Sequence, residues 1–191
     1  MDIKKRTLSI LIFTDSFFNM SSLILVPIFA VYVISLGGDV RHIGELYAVY
    51  AVVFGIVGWI AAKYYLKKRR VVGLGYLFWI IYSLILVFND SLAMFYVAQV
   101  FAGTANAIRY PFLQQSITDH SNGEIAQFYK TVYEFAGQLA GAILAILVAH
   151  YVHHNGFHAV FIAMACLAAL SFVLAIYYYL HLNKHQDMLK R

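Results

Sequence analysis

The sequence predicts an all-α integral membrane protein with six transmembrane helices, arranged as two groups of three in an inverted 3+3 repeat. Three observations lead there. Of 191 residues, 62% are hydrophobic and 12% charged, and the mean hydropathy is +0.73. Soluble domains average about 25% charged residues. The apolar residues form long runs divided by very short polar breaks. The two prolines lie inside such runs rather than in the breaks. A soluble enzyme is excluded at this point. The single cysteine, Cys166, excludes a disulfide framework and a cysteine-based zinc site.

A bilayer core of about 30 Å needs roughly 20 apolar residues per helix. Six segments qualify, at 8–36, 43–65, 71–89, 91–118, 124–150 and 157–181. The N-terminal Lys4-Lys5-Arg6 looks like the start of a secretory signal. The apolar run behind it is too long for one and lacks a small-residue cleavage pattern, so it reads as a retained span. The breaks are Gly37-Gly38-Asp39, Lys67-Lys68-Arg69-Arg70, Asn89-Asp90, 119–123 and His153-His154-Asn155-Gly156. Breaks this short make successive helices antiparallel neighbours in a single domain, 1–191.

The net charge of +5 and pI near 9.2 would suit nucleic acid, but the placement of the charges argues for topology instead. Lys4, Lys5, Arg6, Lys63, Lys67, Lys68, Arg69, Arg70, Lys130, Lys184, Lys190 and Arg191 fall on one side of the bundle, and Arg41 on the other. Basic loops stay in the cytoplasm. Both termini are therefore expected to be cytoplasmic in a multi-pass protein of the cell (inner or plasma) membrane, with no nucleic-acid partner.

Proline within a helix removes one hydrogen bond and bends the axis. Pro27 interrupts the first span and Pro111 the fourth. These spans open the two groups of three and cross the membrane in opposite senses, as inverted repeats do. Both prolines are expected at gating bends.

Three charges lie within spans at comparable depth: Asp15, Arg109 and Glu134. Each needs a partner or water, because a charge at the bilayer centre costs at least ~2.5–3.5 kcal/mol. Asp15 continues into Asn19 and Ser22 along one face. Arg109 lies with Gln99, Asn106, Tyr110 and Gln114, and Glu134 with Gln127, Thr131 and Gln138. These stripes on spans one, four and five describe a water-accessible wall. Spans three and six, nearly free of such residues, read as lipid-facing. Arg109 is expected to pair with Asp15 or Glu134, leaving the other acid to bind and release a proton. With both acids ionised the three groups sum to −1, which favours a proton with a neutral or cationic substrate. A static pair that only ties helices together is the alternative.

Small residues recur along two spans. Span two carries Gly44, Ala48, Ala51, Gly55, Gly58 and Ala62, and span five carries Gly137, Gly141, Ala145 and Ala149. Such rows let helices approach closely in lipid, either between two bundles or within one.

The pattern resembles the N-terminal six-helix half of a major facilitator superfamily transporter over nearly the whole chain. Members carry G-x-x-x-D-R/K-x-G-R/K-R/K between helices 2 and 3. Here Gly58, Lys63 and Lys67 match, while Ala62 stands at the acidic position and Tyr65 at the second glycine. On helix 4 the family's R-x-x-x-G becomes Gln99-Val-Phe-Ala-Gly103. On helix 5 its G-x-x-x-G-P-x-x-G becomes Gly137-Gln-Leu-Ala-Gly141-Ala142-Ile-Leu-Ala145. The resemblance implies a secondary transporter with no cofactor, working by alternating access around a cavity lined by helices 1 and 4. It implies gating roles for Gly58 and Lys63, and helices 2 and 5 at the boundary between two bundles. With the small-residue rows, it leads to a parallel homodimer closed by Gly44, Ala48, Ala51 and Gly55 against Gly137, Gly141 and Ala145. A second six-helix half could take the place of the second copy.

His150, His153, His154 and His158, with His42 nearby, gather on the external side. No carboxylate lies within the run to support a metal, so a polar interfacial loop is expected and no metal site. A non-transporting membrane subunit or scaffold is the competing function. Enzyme motifs such as HExxH, GxSxG and a nucleotide-binding loop are absent.

Overall fold

The protein is described by a computed structural model covering residues 3–64, 72–89, 91–120 and 123–189; for 3–9, 64, 72, 114, 116–120, 123–130, 132–134, 138, 179 and 181–189 it describes the backbone alone. The basic run 67–70 and Tyr65 lie outside the described residues. All regular structure among them is helical: α1 (Ile3–Leu25), α2 (Phe29–Ser35), α3 (Val40–Tyr64), α4 (Val72–Phe88), α5 (Leu92–His120), α6 (Gly123–Asn155) and α7 (His158–Leu189).

The first span is α1 and α2 joined by a 3₁₀ turn, Val26–Ile28, with Pro27 at its centre. Pro27 supplies no N–H and its ring crowds the preceding turn, so the α-helical ladder fails there. Pro111 is accommodated inside α5, which runs on to His120. Gly37, at φ 82°, and Gly156, at φ 75°, adopt the left-handed conformation that ends α2 and α6.

Among the described residues, four helical stretches meet the length and hydropathy expected of a membrane span: Ile10–Ser35, Val40–Lys63, Phe135–Asn155 and His158–Tyr178. The third span is the shorter apolar stretch Gly73–Phe88. The fourth, α5, is long enough, but Gln99, Asn106 and Arg109 lower its hydropathy. The six-helix half-bundle stands, with the third span shorter than its neighbours and the fourth less apolar.

Packing follows the exchange symmetry of an inverted repeat. Span two packs on span four (α3 on α5), and span five on span one (α6 on α1). Span one packs on span six (α1 on α7), and span four on span three (α5 on α4). Spans three and six (α4 and α7) close the back, and α1 meets α5 at the centre. Glycines mark the tightest approaches. A Cβ on Gly103 would lie 2.8 Å from the Tyr50 carbonyl oxygen and 3.0 Å from Val53 of α3. One on Gly75 would lie 3.0 Å from the Ala105 carbonyl oxygen, bringing α4 onto α5.

The core runs the length of the bundle. Phe18 packs edge-on against Tyr76, with centroids 5.6 Å apart, and against Trp79 at 4.7 Å. The Trp79 indole N–H donates to Ser21 Oγ (2.9 Å), and Ser21 donates to the Met164 carbonyl (2.9 Å). This chain of bonds ties α4, α1 and α7 together. Towards the end away from the N-terminus, Tyr32 meets Phe95, Phe157 and Phe161, while its hydroxyl bridges to Asn89.

Two expectations are corrected. Spans three and six face lipid on one side only. Tyr76, Trp79 and Tyr82 of α4 and Met164, Ala168 and Ser171 of α7 are buried, and Leu74, Leu84, Ile162 and Val173 are exposed. Aromatic and small residues on one face, rather than polar ones, mark the buried side, and a polarity count misses them. The histidines expected in a loop stand on a helix, because nothing halts α6 before Gly156.

Candidate functional site

Asp15 sits in the middle of α1 and Arg109 in the middle of α5, where the first spans of the two repeats meet. Counting inward from Ile3 and from His120, each lies roughly 17 Å from its helix end at ~1.5 Å per residue, so the two are level. Arg109 Nη1 forms a salt bridge to Asp15 Oδ1. Asp15 is 0% exposed and Arg109 6%, so the pair is sealed from its surroundings in this conformation. The helical i+4 neighbour Asn19 donates its amide to the other Asp15 oxygen at 3.1 Å. Asn106, three residues before Arg109, offers Oδ1 to Nη2 at 3.4 Å. The guanidinium carbon stands 4.0 Å from the centroid of the Phe18 ring. A desolvated cation over an aromatic face gains about 2 kcal/mol.

The arrangement is a charge pair with amide groups on both sides and an aromatic floor. Burying two charges is costly, and their attraction offsets this only when the remaining donors and acceptors are satisfied. The carboxylate can be discharged by one proton, whereas the guanidinium cannot.

Of the other residues singled out from the sequence, Asn19 and Asn106 are half-buried beside the pair. The side chains of Gln114, Glu134 and Gln138 lie outside the described residues. Gln99 is buried, 4% exposed. Gly58 faces α5, where an added Cβ would lie 3.9 Å from that of Ala107. Lys63 Nζ lies 5.3 Å from the centroid of the Trp59 ring, one helical turn back. Gly44, Ala48, Ala51 and Gly55 are all exposed along one side of α3, and nothing lies within 4 Å of a Cβ placed on Gly44 or Gly55. Gly137 and Ala145 are half-buried. Gly141 already has a neighbour inside the bundle, with Leu23 of α1 at 3.2 Å from an added Cβ.

Several contributors escaped sequence reasoning. Phe18 follows Asp15 by three residues and so shares its helical face, a spacing that points to it once the pair is known. Tyr96 donates its hydroxyl to Glu45, linking α5 to α3. Asp39 caps α3 by accepting from the backbone N–H groups of Arg41 (2.9 Å) and His42 (3.2 Å), and it pairs with the Arg41 side chain at 2.8 Å. The hydrogen bonds from Arg41 and from the His42 backbone hold the Asp39 carboxyl well below the usual carboxylate range. Among the described residues, no three His, Cys, Asp or Glu side chains converge to hold a metal.

The decisive comparison is with protein families: a sequence model described as Major Facilitator Superfamily matches residues 8–190. The chain belongs to the major facilitator superfamily. It is thus a multi-pass membrane protein of a transporter family, and the six-helix bundle with a charge pair between the repeats is its version of that architecture. No curated protein matches the sequence.

Proposed function

We propose that this chain is one half of a secondary active transporter, in which two six-helix bundles enclose a single path and alternate its access between the two sides of the membrane. The observation that carries the reading is the buried Asp15–Arg109 pair joining the first spans of the two repeats. Asp15 is the proton site and Arg109 its counter-ion. In the sealed state Asp15 is salt-bridged to Arg109. When the bundles rock, a proton reaching Asp15 releases Arg109, and its departure to the other side restores the pair. Asn19 and Asn106, with Gln114, Glu134 and Gln138, line the path. Pro27 and Pro111 are the bends about which it opens, with Gly58 and Lys63 at the gate.

The second bundle is a parallel copy of this chain. Support comes from α3, which rests chiefly on α5 and leaves Gly44, Ala48, Ala51 and Gly55 open, flanked by exposed Val52, Ile56 and Trp59. In lipid such a flat row associates through van der Waals contact. On α6 the row of Gly137, Gly141 and Ala145 completes the seam once α1 and α6 shift. Both termini lie in the cytoplasm, in keeping with the basic residues on that side. Antiport of a proton against a small neutral or cationic compound fits a wall whose ionisable groups sum to zero or −1. The chain catalyses no covalent chemistry and needs no cofactor.

The second reading, a non-transporting subunit that pairs with another membrane protein, is favoured by one observation. Ala62 stands, exposed, where the family's gate motif carries an acid. Reconstitution into vesicles with a trapped pH indicator separates the two. Transport predicts compound-driven proton movement that Asp15→Asn abolishes. Protein that folds, inserts and moves no protons with any of a broad panel of neutral and cationic compounds supports the subunit instead.

A further inference from the structure

A cavity of about 700 Å³ opens between α6 and α7, floored by Ile24 of α1. These helices are consecutive and antiparallel, yet they diverge from the turn at Gly156 and touch little. Along the cavity the walls are apolar, from Leu144, Leu147 and Val148 on α6 to Ala163 and Leu167 on α7. At the Gly156 end they become polar, with His150, Tyr151, His154 and Asn155 at the rim. The change falls where the spans end, at headgroup depth, and the apolar wall from Asn155 back to Leu144 is about 16 Å long at ~1.5 Å per residue. An apolar slot with hydrogen-bonding groups at its interfacial end has the polarity profile of an amphiphile.

The rim also indicates the headgroup. Residues 135–178 contain no Asp, Glu, Lys or Arg. The polar contacts that the rim can offer therefore come from imidazole, phenol and amide groups. The rings of His150 and His154 lie 4.9 Å apart in an edge-to-face contact, as do those of His153 and His154. Their N–H groups can be offered together to one acceptor. A phosphodiester accepts such bonds, and a headgroup without its own cation leaves that phosphate available.

We propose that this groove is a lipid site, occupied by one anionic phospholipid with an acyl chain between α6 and α7 and its phosphate at His150 and His154. The lipid fills the gap that the diverging helices leave, and it holds α6 on the bundle. The site rests on the membrane setting of α6 and α7 and not on the transport reading, so either can fail alone.

The test is native mass spectrometry of the full-length protein released from nanodiscs of equal phosphatidylglycerol and phosphatidylcholine. Wild type retains one phosphatidylglycerol per chain. His150→Gln with His154→Gln lowers the ratio of retained phosphatidylglycerol to phosphatidylcholine about ten-fold. Ala163→Trp, which fills the slot, removes the retained lipid; Ala159→Phe, nearer the mouth, serves if that variant does not fold. Equal retention of the two lipids by wild type, or undiminished retention by a folded slot-filling variant, overturns the proposal. So does a second protein chain bound in place of lipid and released by the same substitution.

Discussion

Asp15→Asn is the perturbation that tests the charge pair most sharply. It leaves side-chain volume nearly unchanged and removes one charge. Arg109, 6% exposed and unable to shed its proton, then lies buried beside an amide that still accepts one hydrogen bond but offers no charge. Breaking a buried pair by removing one partner costs about 3–5 kcal/mol. Phe18 and Asn106 still contact the guanidinium, so the lower end of that range is expected. Arg109→Gln is milder, at about 1–3 kcal/mol, because the stranded Asp15 can take up a proton and stay hydrogen-bonded to Asn19. The double variant, with neither charge, recovers most of the loss. The assay is reversible denaturant unfolding in micelles, read as a double-mutant cycle. The physical reasoning fails if Asp15→Asn costs less than Arg109→Gln, or if the two effects simply add.

Gly103→Ala forces a methyl group to within 2.8 Å of the Tyr50 carbonyl oxygen and costs about 1–3 kcal/mol by unfolding; Gly44→Ala, with open space around it, costs nothing. Trp79→Phe removes the donor to Ser21 and lowers stability by about 0.5–1.5 kcal/mol in the same assay. Asp39 is held ionised in the fold, so the α3 cap contributes stability that is full above the ordinary carboxylate value and lost as pH falls through its depressed one. Protection factors of backbone amides at the start of α3 should therefore be flat from pH 5 to 8, with early fraying only in Asp39→Ala. Gly55→Trp, projecting from the open side of α3, should leave unfolding in micelles unchanged while dissociating the proposed dimer in light scattering.

Much of this molecule is legible from its sequence, because lipid enforces helices and counts their length. The spans, the break at Pro27 and the depth of Asp15 and Arg109 all follow from hydropathy and residue spacing. The pairing of Asp15 with Arg109 does not, because depth leaves the partner open and the packing of α1 on α5 is what brings Asp15 to the guanidinium. The small-residue rows were similarly ambiguous. Gly44 and Gly55 turn outward, whereas Gly141 meets Leu23 inside the bundle, and the spacing of glycines is the same in both cases. The tight approaches of one helix to another at Gly75 and Gly103 belong to neither of these rows. The length of α6 is less legible: His153 and His154 read as a polar break, but a helix stops for a change in backbone conformation, and Gly156 supplies it.

The claim that two six-helix bundles share one path is tested most directly by the mass of the intact particle from nanodiscs. Two copies of the chain per particle are expected, held through the open side of α3 and separated by Gly55→Trp. A particle containing one copy, with no second six-helix bundle attached, contradicts it.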